Sequence, residues 1–137
     1  MNVLNKLIVA ALPAVPKPVV RQFASRYIAG EDIQDAVRVV RDLNAQSVLA
    51  TLDVLGEDIH NRDEALSSQK NIFELLDAIS HQRLNTNVSV KLTQLGLKLN
   101  REFCLENTRS IVQRAQTLGN FVRIDMEDST CTDDTLW

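Results

Sequence analysis

The stretch NVSVKLTQLG, residues 87–96, decides the fold. Val88, Val90 and Leu92 have the alternation of a buried strand, yet Lys91 sits among them. A buried ammonium is costly unless a partner repays its desolvation. The pattern recurs twice. In SVLATLDVLGED, residues 47–58, Asp53 interrupts an apolar run. In NFVRIDMEDS, residues 120–129, the run ends on Asp125. All three runs are rich in apolar or β-branched residues and only long enough for strands.

Helical periodicity fills the intervals. Residues 61–84 carry Ile72, Leu75, Leu76 and Ile79 on one stripe, and Asn61 and Glu64 have capping-box spacing. Residues 100–117 form another helix, with Leu105, Thr108, Val112 and Ala115 expected inward and Gly119 as its stop. Between the second strand and that helix, QLGLKL reads as a loop. Three helices are expected ahead of the first strand, over residues 5–15, 16–30 and 31–46. A last helix opens near the end of the chain, capped by Thr132.

Strands about 35 residues apart, each followed by a helix, imply βαβ units and a parallel sheet. No GxGxxG follows a strand and no GxxxxGK[ST] occurs, so a dinucleotide or P-loop fold is disfavoured. The expected class is therefore α/β. A helical segment, residues 1–46, precedes the first three strand–helix units of an incomplete (β/α)8 barrel, residues 47–137.

A barrel places its active site at the carboxyl ends of its strands. Lys91 and Asp125 come late in their strands, and Glu57 falls in the loop after the first. The intervals Glu57–Lys91 and Lys91–Asp125 are both 34 residues, which sets the three at equivalent heights. A lysine facing two carboxylates keeps its charge. The same residues also fit blander roles: a snorkelling strand-end lysine, a helix-capping aspartate and a solvated loop acid. Asp53 is expected to hydrogen-bond inside the barrel or at its rim, without chemistry. Asp128 and Ser129 are the better capping candidates, and Met126 would ordinarily be core filler.

The totals exclude several functions. The chain has 137 residues, 45% of them apolar, with 15 basic and 18 acidic residues and a net charge of -3. No dense basic cluster occurs and aromatics make up 4%, which disfavours a nucleic-acid partner. Cys104 and Cys131 form no CxxC pair and read as free thiols of a reducing compartment, with no metal site. His60 and His81 read as surface residues. NKLIVAALPAV, residues 5–15, is too short to span a bilayer. It reads as an amphipathic helix on the domain rather than a signal peptide. The expected location is cytoplasmic, with peripheral association at the inner membrane left open.

At ATLDVLGED, NVSVKLTQLGL and FVRIDMEDS the sequence resembles the proline dehydrogenase family in its short monofunctional bacterial form. The resemblance covers residues 20–135 or so. It implies a distorted (β/α)8 barrel holding FAD without a Rossmann domain. It further implies oxidation of L-proline to Δ1-pyrroline-5-carboxylate in proline catabolism, with electrons passed on to a quinone acceptor. By the same resemblance, Lys91 helps hold the substrate carboxylate and Asp125 orients the substrate-binding cations. Met126 lines the proline pocket, and Glu57 closes the site as a gate. A complete family member has eight strands, so the chain is expected to be an N-terminal part that alone lacks stable FAD binding and turnover. Most cofactor contacts are expected outside it. Two competing readings stand beside this one. One is a Schiff-base lyase or aldolase barrel using Lys91. The other is a non-catalytic fragment that self-associates through its open sheet edge.

Overall fold

Each strand is preceded by a helix that ends in the same hydrogen-bonded turn. The structure, a computed structural model, describes residues 28–30, 32–56 and 59–137. The helix expected over residues 5–15, and nearly all of the one expected over 16–30, lie outside the described residues. The described elements are α1 (Ile33–Ala45), β1 (Ala50–Asp53), α2 (Arg62–His81), β2 (Thr86–Lys91), a 3-10 turn (Thr93–Leu95), α3 (Arg101–Thr117), β3 (Val122–Asp125) and α4 (Thr132–Leu136).

Short polar side chains start the three longer helices. Asp32 caps α1 by accepting from Asp35 N at 2.9 Å, and Asn100 caps α3 by accepting from Phe103 N at 2.8 Å. Asn61 caps α2 by accepting from Glu64 N at 3.0 Å. Glu64 reaches back to the His60 amide at 2.5 Å, one residue before the usual capping-box donor. The helices end alike. Ser47, Arg83 and Gly119 each take a left-handed backbone, with φ of 61°, 51° and 67°. The amide after each returns to the third-last helical carbonyl: Val48 to Leu43, Leu84 to Ile79 and Asn120 to Ala115. This is the Schellman arrangement. It consumes Ser47 and Val48, so β1 is shorter than the apolar run over 47–55 suggests.

The three described strands pair in parallel in the order β1-β2-β3. Ala50 and Leu52 of β1, Val88 and Val90 of β2, and Val122 and Ile124 of β3 share one face by strand alternation. The helices α2 and α3 pack together there, and Ile72, Leu75, Leu76, Ile79, Val88, Val90, Leu95, Ile111 and Ala115 form the centre of the core. Helix α1 packs on α2 and β1.

Three local expectations need correction. Helix α3 turns inward through Cys104, Asn107, Ile111 and Ala115. Leu105 and Val112 are 44% and 45% exposed. Asn107 explains the rotation: its side-chain amide donates to Leu95 O at 2.9 Å and so belongs inside. The loop QLGLKL is partly ordered as the 3-10 turn, which closes on Gly96 at φ 103°. Thr132 is the first residue of α4 rather than its cap. Asp128 instead organises the approach, its carboxylate accepting from Thr130 N at 2.8 Å and from the Thr130 hydroxyl.

Candidate functional site

The carboxyl end of every described strand is a charged residue: Asp53 ends β1, Lys91 ends β2 and Asp125 ends β3. In a parallel sheet, register partners point to the same side. Asp53 is level with Ser89, and Lys91 is level with Asp125. Alternation therefore gives the face opposite the core a polar set: Thr51 and Asp53, then Asn87, Ser89 and Lys91, then Arg123 and Asp125. That division answers the question posed by Lys91. Its neighbours Val88 and Val90 face the helices, while Lys91 faces away from them.

The polar set is bonded across the strands. Lys91 Nζ donates to Asp53 Oδ2 at 2.5 Å, and Ser89 Oγ donates to Asp125 Oδ1 at 2.5 Å. Each bond runs diagonally, two residues off the ladder pairs. Arg123 reaches across β2 to Thr51 Oγ1 at 3.2 Å. The side chains of Lys91 and Asp53 are 19% and 28% exposed, so the pair is largely withdrawn from solvent. Asn87 is buried on this face, and its Oδ1 has no hydrogen-bond partner among the described residues. Such an acceptor requires a donor from something that covers the face.

Of the expected site residues, Lys91 and Asp125 come together as register partners. Glu57 lies outside the described residues. Met126 follows Asp125 and is 55% exposed, so it is not core filler. Asp53, expected to hydrogen-bond at the barrel rim without chemistry, places a carboxylate oxygen on Lys91. The signal was available, since Asp53 shares the alternation phase of Thr51 and stands level with Ser89.

The turn after β2 is also bonded on several sides. Thr93 donates its amide to Glu127 at 3.0 Å and its hydroxyl to the same carboxylate. Buried Gln94 donates to Val54 O at 2.7 Å. Cys104 and Cys131 are free and buried. Burial pushes the Cys104 thiol up, and its hydrogen bond with Thr108 only partly opposes this. His60 and His81 are exposed. Among the described residues, no group of three or more His, Cys, Asp or Glu could hold a metal ion, and no helix is long and apolar enough to cross a membrane.

Parallel strands with helices on one face and charged strand ends on the other define part of an α/β barrel. The sequence model of the proline dehydrogenase family matches residues 36–136, and the chain belongs to that family. It is 37% identical over 113 residues to proline dehydrogenase 1 of Bacillus subtilis (strain 168), covering 82% of this chain and 37% of that one. Proline dehydrogenase of Deinococcus radiodurans is 30% identical over 138 residues, covering 93% of this chain and 44% of the relative. The chain thus spans less than half the length of these curated relatives. Among solved structures, it is similar to proline utilization A (PutA) from Bdellovibrio bacteriovorus inactivated by N-propargylglycine. The TM-score is 0.76 at 22% identity, over 85% of this chain and 15% of that one. That likeness supports the fold.

Proposed function

We propose that the described sheet supplies the first three strands of an FAD-dependent enzyme that oxidises L-proline to Δ1-pyrroline-5-carboxylate. One observation carries the reading. A cation and two carboxylates end three adjacent parallel strands on the face away from the core, with the cation locked to Asp53 at 2.5 Å. Lys91 binds the proline carboxylate, an anion suited to a fixed ammonium. Asp53 holds that ammonium in place. Ser89 orients Asp125, which in turn aligns cations from the rest of the barrel. Met126 borders the proline ring, and Glu57 serves as the gate.

The residues present do not make a cradle for the flavin. Lys91 is engaged by Asp53, and the turn after β2 spends its polar groups on Glu127, Val54 and α3. The polar groups of the described strand ends are thus already engaged within the protein. The flavin's contacts belong to parts of the barrel beyond these three strands, as does the unmet acceptor of Asn87. The 137-residue chain alone therefore has neither stable FAD nor turnover. Electron transfer to a quinone and peripheral membrane association belong to the whole enzyme.

A Schiff-base role for Lys91 is disfavoured by the same pair. That chemistry needs a free amine, and a carboxylate at 2.5 Å stabilises the ammonium. The test is to purify the 137-residue chain and measure bound flavin and proline-dependent dye reduction. Neither is expected. Turnover at an ordinary enzymic rate would overturn the reading.

A further inference from the structure

We infer that Glu127 and Gln94 are positioning residues: they clasp the turn after β2 to the ends of β3 and β1, and so fix where Lys91 meets Asp53. The backbone ladder stops at Lys91 and Asp125 on one side, and at Asp53 and Ser89 on the other. Side chains then continue it. Thr93 and Glu127 lie two residues beyond the last ladder pair, at the same 34-residue separation as Lys91 and Asp125. Both donors of Thr93 go to the Glu127 carboxylate. On the other edge, Gln94 donates to Val54 O, one residue past Asp53.

The turn is held from behind as well. Cys104 Sγ donates to Leu92 O at 3.4 Å, Asn107 Nδ2 donates to Leu95 O at 2.9 Å, and Gln69 Nε2 from α2 supports Asn107 Oδ1 at 3.2 Å. Leu92, Thr93, Gln94 and Leu95 are all buried. A lysine side chain has several rotatable bonds, so its ammonium is fixed only if both its partner and its own backbone are fixed. The two clasps meet that need at the point where the sheet no longer does. Small displacements there cost much more than the bonds themselves suggest, because binding depends on alignment.

This inference rests on the reading of Lys91 as the substrate-holding cation, but its test does not read turnover. The 137-residue chain is pulse-labelled with an amine-acylating reagent, and the rate at each lysine is read by mass spectrometry. Exposed Lys70 serves as the internal reference, and far-UV circular dichroism establishes that each variant is folded. Thr93→Val and Glu127→Gln should each raise the relative rate at Lys91 by about tenfold, as the ammonium is no longer held on its partner. Thr93→Ser should restore the native rate. An unchanged Lys91 rate in folded Thr93→Val or Glu127→Gln overturns the inference, as does a Thr93→Ser rate equal to that of Thr93→Val. If Thr93→Val does not fold, Glu127→Gln decides alone. It keeps the size of a half-exposed side chain and one acceptor, so its unfolding would mark Glu127 as merely structural and overturn the inference too. A failed flavin or dye-reduction result leaves this measurement untouched.

Discussion

The ammonium of Lys91 lies 2.5 Å from a carboxylate oxygen of Asp53, 38 residues earlier in the chain. The two side chains cross from the end of β2 to the end of β1 and are mostly shielded from water. Removing either one takes a close partner from a charge that is partly buried. Asp53→Asn should therefore cost about 1–3 kcal/mol of stability. In a double-mutant cycle with Lys91→Met, the second substitution should recover part of that loss. Urea unfolding of the four proteins measures the coupling. A coupling energy near zero would remove Asp53 from the site.

Ser89→Ala should be the milder change. It removes the hydroxyl that donates to Asp125 while leaving the ladder intact. A loss of about 1–2 kcal/mol is expected, because Asp125 keeps some access to water. The same unfolding assay checks it, and a loss above that of Asp53→Asn would reverse the ranking of the two bonds.

The helix ends offer stabilising substitutions. Ser47 and Arg83 occupy the left-handed position that Gly119 fills at the end of α3. Ser47→Gly and Arg83→Gly should each raise stability by up to about 1 kcal/mol, since relief of strain outweighs the added chain freedom. Denaturation midpoints that fall in both variants would contradict the shared motif.

Packing on α3 separates two neighbours. Ile111 is fully buried and Val112 is not. Ile111→Ala should cost about 2–5 kcal/mol, whereas Val112→Ala should stay within about 0.5 kcal/mol. Thermal or urea unfolding distinguishes them, and equal losses would restore the helix face expected from sequence.

That helix marks the boundary of what the sequence could reveal. The strand–helix alternation, the strand ends and the register of Lys91 with Asp125 were legible, because a parallel repeat of 34 residues preserves height from strand to strand. The inward face of α3 was not, since it includes polar Asn107 while outward Leu105 and Val112 look like core. The bond from Lys91 to Asp53 was legible only in part: alternation places Asp53 on the same face, but the diagonal reach depends on side-chain length, which the equal intervals do not encode. The turn around Thr93 and Gln94 looked like an ordinary loop because its bonds go to residues about 34 to 40 positions away.

Acid sensitivity of α2 follows from its cap. The His60 amide, helped by Asn61, holds the Glu64 carboxyl below its ordinary value of 4.5. A depressed folded-state value means that the stabilisation is complete above 4.5 and is lost as pH falls through the lower folded value. Glu64→Gln should flatten the loss of stability below pH 4.5 relative to the native chain. Parallel stability–pH curves for the two proteins would rule this cap out as a contributor.

The most direct measurement uses a chimera in which this chain replaces the matching segment of Bacillus subtilis proline dehydrogenase 1, with proline-dependent dye reduction as the readout. The account predicts turnover with bound flavin, and a KM for proline raised roughly tenfold or more by Lys91→Met, the loss of one charge-assisted bond. A folded, flavin-loaded chimera that ignores proline, or that is indifferent to Lys91→Met, would contradict it.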